Sequence, residues 1–383
     1  MPNYTHPDVY IEFVPGTPPI AGVGTSTAAF IGEASLDPGD MPLEPGSTTN
    51  HLPLAAVNTP VLVTNWGQFE NNFGKIQDKN KTLAYSVYGF FRNGGTSCYV
   101  VRVPSMTAGN IQTALTALEA VDEVAIVAIP GTTSTAAQNA VIDHCAAMKD
   151  RFAILDGENT TTITVAGIKG TTKNSEYAAM YFPWLTVYDA LTDANIALPP
   201  SGFIAGIYAR VDGERGVHKA PANVDVRGVV GLEYAITDGE QDVLNPDGIN
   251  CIRNFRGTVT VWGARTLGGD ANGEYKYVNV RRLVNFIAES IEEGTRFAVF
   301  EPNAQPLWER IKRSASDFLT RVWRDGALFG VKPEQAFFVK CDESTNPPEV
   351  REAGIVITEI GIAPVKPAEF VVFRIMLDSE FGD

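Results

Sequence analysis

The 383-residue sequence predicts an α/β region followed by a mixed α+β region, and three observations support this fold class. Between residues 82 and 190, apolar strand segments alternate with helical segments, which is typical of a mostly parallel sheet covered on both faces. Beyond residue 223, strands and helices follow one another without that alternation. Apolar residues make up 44% of the chain and charged residues 20%, so two or three globular domains with a sizeable core are expected.

The chain begins with a proline-bearing segment that is expected to be extended, because proline blocks helix and removes a backbone donor. Within it, apolar and polar side chains alternate over residues 9–14, which predicts a short strand. Residues 35–60 are rich in Pro, Gly, Asn and Thr, and they predict a loop.

The predicted elements follow in chain order. In the middle region, helices are expected near residues 83–92, 110–120 and 135–149, and strands near residues 98–103, 124–129, 152–155 and 181–187. In the later region, helices are expected near residues 279–293 and 306–325, and strands near residues 258–262, 297–300, 335–340, 355–362 and 369–377. Pro364 and Pro367 separate the last two strands.

The charge and the cysteines restrict the possible functions. A net charge of −15 argues against a nucleic-acid-binding surface, because phosphate contacts need clustered cations. The four cysteines are far apart and form no Cys-x-x-Cys pair, so buried free thiols in a reducing compartment are expected rather than a zinc or redox site: Cys98, Cys145, Cys251 and Cys341. The sequence shows no apolar run long enough for a membrane span and no secretion signal at its start.

The α/β region invites an enzyme hypothesis, with a small-molecule site at the strand ends near Pro130-Gly131 and Asp156-Gly157. The loops that hold phosphates are missing, however. Gly74-Lys75 is followed by Ile76, and the partial glycine pattern at Gly22 and Gly24 lies outside a strand-to-helix turn.

Three other groups of reactive side chains could in principle form sites. Asp143, His144 and Cys145 are helical neighbours that cannot face one another, so a packed Cys145 and an exposed or capping His144 are expected. The acidic stretch over residues 238–247 predicts a solvated or partner-facing loop, because it lacks the glycine and the final acid of a calcium loop. His218 is a lone histidine, for which a structural role is expected.

The predicted helix 306–325 is strongly amphipathic. Its apolar face consists of Trp308, Ile311, Ala315, Phe318, Leu319 and Val322, and its basic face carries Arg310, Arg313, Arg321 and Arg324. The basic face is either a solvated surface or a docking surface for an acidic partner. The helix 279–293 has Arg281 and Arg282 at its start and Glu292 and Glu293 at its end, which opposes the helix dipole. These charges are expected to be tolerated on the surface or to face neighbouring subunits.

Five stretches of sequence carry a family resemblance. Residues 198–223 read LPPSGFIAGIYARVDGERGVHKAPAN, a Pro-Pro pair, a short apolar segment over 203–209 and a charged turn over 210–215. The others are HPDVYIE at 6–12, IAGVGTSTAAFIG at 20–32, FFRNGG and CYVVRV within 90–103, and PAEFVVFRI at 367–375. In this order, these stretches resemble the contractile tail sheath proteins of phage tails, R-type bacteriocins and related injection systems.

The resemblance implies a domain organisation. It implies an N-terminal extended arm (1–20), a strand and loop region that packs on the assembly domain (21–81), an outward-facing α/β domain (82–198), a tube-facing α+β assembly domain (199–365) and a C-terminal strand arm (366–383). It implies that both arms leave their own subunit and add strands to neighbours' sheets. The arm residues so assigned are Val9, Tyr10, Ile11, Glu12, Phe370, Val371, Val372, Phe373 and Ile375.

From the residues alone, a terminal strand that pairs within its own domain stays an alternative. The connectors near Pro15–Pro19 and Pro364–Pro367 are expected to set the direction of the arms while letting the domains rotate. The resemblance also implies that the arginine face of helix 306–325 contacts the inner tube.

The function so implied is structural. The chain is expected to form stacked hexameric rings around an inner tube, to contract and drive that tube through a target envelope, and to need no cofactor, metal or catalytic residue. Its expected partners are further copies of itself, the tube protein, and baseplate and cap proteins, with no nucleic acid and no membrane insertion. Assembly is expected in the bacterial cytoplasm, as part of a phage tail or tail-like particle that lysis can release. The alternatives are the α/β enzyme and a non-contractile self-assembling tail or shell protein.

Overall fold

The computed structural model describes residues 19–372, so the predicted strand at Val9, Tyr10, Ile11 and Glu12 lies outside the described residues, as do Phe373 and Ile375. The described chain forms two compact units. The larger unit contains residues 23–289 and 364–372, and the smaller unit contains residues 19–22 and 290–363. These units differ from the predicted domains, because residues 199–289 belong with the α/β region rather than with residues 290–363.

The larger unit is built on a nine-stranded sheet with strand order β2-β3-β1-β4-β5-β6-β11-β12-β9. The pairs from β3 through β1, β4, β5 and β6 to β11 are parallel, and the three outer pairs are antiparallel. The strands are β1 Ala28–Glu33, β2 Pro60–Val63, β3 Cys98–Val103, β4 Ile126–Ala128, β5 Phe152–Asp156, β6 Ala178–Phe182, β7 Leu185–Asp189, β8 Ala194–Leu198, β9 Val224–Asp225, β10 Gly231–Leu232, β11 Ile249–Phe255 and β12 Thr258–Val261. The predicted mostly parallel sheet is confirmed.

Helices cover both faces of this sheet and enclose two apolar cores. They are α1 Trp66–Phe73, α2 Lys81–Arg92, α3 Ala108–Leu118, α4 Thr135–Met148, α5 Val165–Lys169, α6 Ser201–Arg215, α7 Asp238–Leu244 and α8 Val278–Gly294, of which the last five residues belong to the smaller unit. The three predicted middle helices correspond to α2, α3 and α4. A second sheet, of order β10-β7-β8, completes the unit.

Strand β1 lies between β3 and β4, with Ala28 paired in register with both Cys98 and Ile126. The region 21–81 therefore supplies a central strand of the α/β sheet instead of packing only on an assembly domain. The physical reason is that the first five residues of β1 are all buried, as a strand covered on both faces requires.

Helix α6 corrects the prediction of a short apolar segment ending in a charged turn, because the helix runs without interruption from Ser201 to Arg215. It packs closely against α2. A Cβ at Gly206 would lie 2.4 Å from the carbonyl oxygen of Phe90, and one at Gly202 would lie 2.4 Å from that of Ser86. The two glycines therefore let the backbones of α2 and α6 approach directly.

Several shorter predictions were also wrong. The predicted acidic loop is partly the helix α7, whose start is capped by Thr237 and Glu240 in a reciprocal capping box. The predicted strand 297–300 is a 3₁₀ turn at Arg296–Ala298, and the predicted strand 181–187 is divided between β6 and β7. Of the predicted strand 369–377, residues 369–372 form no strand within this chain, and the remainder lies outside the described residues, so pairing with a neighbouring copy stays a prediction.

The smaller unit contains α9 Gln305–Arg324, α10 Pro333–Ala336, β13 Phe337–Lys340, α11 Pro348–Glu352 and β14 Glu359–Ile362. Strands β13 and β14 pair antiparallel, with Phe337 opposite Ile362 and Lys340 opposite Glu359. The predicted long helix is confirmed as α9, and all six residues of its predicted apolar face are buried. A small core forms around Leu307, Trp308, Ile311 and Cys341.

Candidate assembly surfaces and the roots of the arms

The start of the predicted C-terminal arm is held to the larger unit by one carboxylate. Glu369 accepts two hydrogen bonds from Arg265, at 2.7 Å from Nε to Oε1 and 2.9 Å from Nη2 to Oε2. Tyr277 donates its hydroxyl to Oε2 at 2.8 Å, and Asn245 Nδ2 donates to Oε1 at 2.9 Å. Although burial disfavours the charged form, the donors from Arg265, Asn245 and Tyr277 hold the pKa of Glu369 below its ordinary value.

The segment that leads to Glu369 also contacts the larger unit. The carbonyl oxygen of Val365 accepts a hydrogen bond from Asn279 Nδ2 at 3.3 Å, and Lys366 pairs with Glu274 at 2.8 Å on the surface. Immediately after Glu369, the side chains of Phe370, Val371 and Val372 are 72%, 70% and 78% exposed. The described part of the predicted C-terminal strand is thus unpaired apolar chain that follows a fixed root.

The described start of the chain is also fixed. Ile20 is 2% exposed, and a Cβ at Gly294 would lie 2.5 Å from its Cγ1, so the isoleucine packs directly against the end of α8. The carbonyl oxygen of Ile20 accepts a hydrogen bond from Arg321 Nη2 at 2.6 Å. The residues that follow the predicted N-terminal arm are therefore fixed to the smaller unit.

Strands β13 and β14 form a two-stranded sheet that has no third strand among residues 19–372. Phe338 of β13 is 57% exposed, and the nearby Phe329 and Val331 are 73% and 87% exposed. A sheet of only two strands is marginal by itself in water, and unpaired strand edges readily accept another chain. This sheet is therefore a candidate acceptor for added strands.

The four predicted tube-contact arginines are all exposed on α9, but they are not equivalent. Arg310 stacks over the ring of Phe297, with its guanidinium carbon 4.8 Å from the ring centroid. Arg321 donates a hydrogen bond to the carbonyl oxygen of Ile20. Among the described residues, Arg313 and Arg324 have no hydrogen-bond acceptor or ion-pair partner. Arg313 and Arg324 are thus the residues of this basic face that are best placed to bind a partner.

The predicted surface role of Arg281 and Arg282 was wrong, because both side chains are buried and paired within the chain. Arg281 pairs with Glu176 at 2.8 Å and stacks between the rings of Tyr177 and Tyr275. The sequence signal was misleading because the partners lie far away along the chain. Glu292 and Glu293 are exposed, as expected.

Asp143, His144 and Cys145 do not form a catalytic group. Asp143 pairs with Lys173 on the surface, whereas His144, which was expected to be exposed or to cap a helix, is buried and lies 3.3 Å from Arg151 Nη1. Burial, with the neighbouring Arg151 charge, lowers the pKa of His144 to about 4. Burial raises the pKa of the Cys145 thiol, and all four cysteines are buried and free, as predicted.

The acid at the strand ends has a structural task. Asp156, at the end of β5, accepts hydrogen bonds from the backbone N–H groups of Gly131 and Ser201 and from the Ser201 hydroxyl, at 2.8–2.9 Å. It thereby caps the start of α6. Burial raises the pKa of Asp156 to about 6, although these hydrogen bonds oppose the shift. This carboxylate is occupied by the fold, which weakens the enzyme alternative.

Among residues 19–372, no group of three or more His, Cys, Asp or Glu side chains could hold a metal ion. In the same part of the chain, no helix is both long enough and apolar enough to span a membrane.

Comparison with known protein families agrees with this architecture. The sequence profile of the phage tail sheath protein central domain matches residues 105–267, and that of the phage tail sheath C-terminal domain matches residues 270–378. The two matches together cover most of the chain. The chain therefore belongs to the phage tail sheath family.

Individual relatives extend the comparison over the whole chain. The sheath complex of the PVC extracellular contractile injection system, solved in its contracted state, is 32% identical with a TM-score of 0.78, and the match covers 99% of both chains. The contracted helical sheath of the anti-feeding prophage is 29% identical with a TM-score of 0.78, and covers 98% of this chain and all of that one. The tail sheath protein of Burkholderia phage BcepMu is 29% identical over 64% of this chain, a match that spans 54% of the phage protein.

Sequence reasoning missed Glu369 with its donors Arg265, Tyr277 and Asn245, and it missed Ile20 as the root of the N-terminal arm. One signal was present for Glu369, which is a single acid at the start of an otherwise apolar run. Nothing in the local sequence marked Ile20.

Proposed function

We propose that this chain is the structural subunit of a contractile sheath that polymerises as stacked hexameric rings around an inner tube and contracts to drive the tube through a target envelope. The observation that carries the proposal is that one chain has both a sheet with open edges and chain ends that could add strands to such a sheet. The smaller unit offers a two-stranded sheet with open edges, and the chain ends supply apolar strand-forming segments beyond fixed roots. Exchange of these segments between copies would complete the sheet of each subunit.

The exchanged strands would join copies by backbone hydrogen bonds that persist while the units rotate about the chain segments that lead to the strands. Contraction would then draw on repacked interfaces between rigid units and not on hydrolysis. The relatives in the contracted state support this assignment. The basic face of α9, chiefly through Arg313 and Arg324, would contact an acidic surface of the tube protein.

Partners other than the tube follow the same proposal. One of the similar chains comes from the structure of the anti-feeding prophage baseplate, which supports a baseplate at one end of the polymer, and a cap protein would close the other. Assembly would take place in the bacterial cytoplasm, and the sheath would be released as part of a phage tail or tail-like particle. The outward placement of residues 82–198 stays a prediction.

Deletion of residues 1–14 tests the proposal. We expect the full chain to form hollow striated tubes in negative-stain electron microscopy and the truncated chain to remain folded but unpolymerised. A deletion of residues 1–3 alone serves as the matched control and is expected to assemble. Normal tubes from the longer truncation would reject strand exchange through the N-terminal arm.

A further inference from the structure

The C-terminal arm has two candidate pivots. One is the proline-bearing connector at Pro364–Pro367, which the sequence favours. The other is the point after Glu369, where the contacts with the larger unit end and the exposed residues Phe370, Val371 and Val372 begin. Because a pivot must lie where the chain loses its contacts, the hydrogen bonds on either side of these points decide between them.

The contacts of Glu369 distinguish this residue from its neighbours. Its carboxylate receives four hydrogen bonds at 2.7–2.9 Å from three side chains, and its side chain is 20% exposed. Arg265, the bidentate partner, is itself 4% exposed and also donates to the carbonyl oxygen of Asn245 at 3.0 Å. Charge-assisted and bidentate hydrogen bonds are the strongest kind in proteins, particularly when they are shielded from water.

We propose that Glu369 is the positioning residue that fixes the root of the C-terminal arm to the larger unit, so that the arm pivots after residue 369 and not at Pro364–Pro367. This inference rests on the proposed function, because it concerns where an exchanged arm leaves its own subunit. The connector from Pro364 to Ala368 is then part of the larger unit. The N-terminal arm would start at Ile20 on the smaller unit, so the two arms of one subunit would link different units to the neighbouring copies.

The proposal gives the arm a defined direction. Arg265 and Tyr277 are paired across an isolated β-bridge, which fixes the two principal donors relative to each other. A carboxylate held from two sides by such donors constrains both the position and the orientation of the chain at residue 369. A pivot after residue 369 places the connector on the larger unit, so movement of that unit would be transmitted to the acceptor sheet more directly than with a pivot at Pro364–Pro367.

A nitroxide label tests the position of the pivot in the full-length chain before assembly. The four native cysteines are buried, so a single cysteine introduced as Ala368→Cys or Val372→Cys is labelled selectively. We expect an immobilised electron paramagnetic resonance spectrum at residue 368 and a mobile one at residue 372. In Glu369→Gln, the mobile fraction at residue 368 should rise by about tenfold or more, because hydrogen bonds to a charged group shift a local equilibrium by that order.

The matched control is Glu274→Gln, which removes a carboxylate that is paired with the same segment but lies on the surface with its side chain 83% exposed. An exposed ion pair contributes little, so the label at residue 368 should stay immobilised. Glu369→Asp, which keeps the charge on a shorter side chain, should give an intermediate mobile fraction and is the second variant if Glu369→Gln does not fold.

A mobile label at residue 368 in the wild-type background, or an immobile one in Glu369→Gln, would overturn the proposal. So would release of the label by Glu274→Gln alone, or an immobile label at residue 372. The measurement is made on unassembled protein, so its result does not depend on whether tubes form. If tubes fail to form while the label behaves as expected, the proposed function is wrong and the anchor remains.

Discussion

Arg282 and Asp212 form a buried ion pair between α8 and α6, with Nη2 2.6 Å from Oδ2 and Nη1 3.0 Å from Oδ1. The two side chains are 4% and 5% exposed. Arg282 also donates to the carbonyl oxygen of Thr25 at 2.9 Å and stacks over the ring of Tyr208. Although burial opposes the charge, Asp212 keeps the pKa of Arg282 above its ordinary value. This pair joins the second turn of α8 to α6 within the larger unit.

The first prediction concerns this pair. We expect Asp212→Asn to lower the free energy of unfolding by about 3–5 kcal/mol, because it leaves a buried guanidinium without a countercharge. Urea unfolding followed by circular dichroism measures the change. The control Asp143→Asn removes an exposed partner of Lys173 and should cost less than about 1 kcal/mol. Equal losses for the two variants would show that the buried pair contributes nothing special.

The second prediction concerns the close contact of α2 and α6. Gly206→Ala should destabilise the chain by about 1–3 kcal/mol or more, because the new Cβ meets a backbone oxygen that cannot move freely. Gly213→Ala, in the last turns of the same helix, has open space around its Cβ and should stabilise by about 0.5–1 kcal/mol. Thermal unfolding of the two variants compares them directly. A neutral Gly206→Ala would mean that the helices do not pack backbone to backbone.

The third prediction concerns the pH dependence from Asp156. Its folded-state pKa, about 6, lies above 3.8, the ordinary value for an aspartate, so its protonated form is favoured by folding. The resulting stabilisation is fully present below pH 3.8 and is lost as the pH rises through about 6, by up to about 3 kcal/mol. Unfolding free energies of wild type and Asp156→Asn between pH 4 and pH 7 should therefore diverge over this window. Parallel curves would contradict the assigned environment.

The fourth prediction has the opposite sign and concerns His144. Its folded-state pKa, about 4, lies below 6.5, the ordinary value for a histidine, so its neutral form is favoured by folding. This stabilisation is present above pH 6.5 and is lost as the pH falls toward 4, by up to about 3 kcal/mol. His144→Gln should remove that loss, which the same denaturation series measures. An unchanged acid limb in His144→Gln would place the titration elsewhere.

The fifth prediction concerns Arg313 and Arg324 on the basic face of α9. Charge reversal of Arg313 and Arg324 to Glu should abolish co-assembly with the tube protein while leaving the fold intact, because these two side chains have no partner within residues 19–372. Wild-type co-assembly should also weaken with added salt, because exposed charges are screened. The control reverses Lys75 and Lys149, which are exposed on the larger unit and change the net charge equally. Co-sedimentation of sheath with tube measures the effect, and unchanged co-assembly would reject the tube contact.

Local periodicity predicted much of the fold. The alternation of strands and helices identified the parallel sheet, and the apolar period of α9 identified its buried face residue by residue. Helix α6 was missed because it is buried on almost all sides and so has no amphipathic period. Its charged residues Arg210 and Asp212 looked like a turn because their partners, Asp225 and Arg282, are brought close only by the tertiary fold.

The candidate sites were less predictable for the same reason. The place of β1 in the sheet depends on pairing with β3 and β4, which lie far along the chain. The burial of Arg281 and the anchoring of Glu369 depend on partners about a hundred residues away. Family resemblance indicated that the chain ends matter, whereas only the structure located the residues that hold their roots.

The most direct measurement is a cryo-electron microscopy reconstruction of the assembled polymer at a resolution that traces residues 1–14 and 370–383. We predict that both segments pair with the β13–β14 sheet of neighbouring copies, leaving their own subunits after residue 369 at one end and before Ile20 at the other. A reconstruction in which each segment folds back onto its own subunit, with no β-pairing between copies, would contradict the proposed assembly.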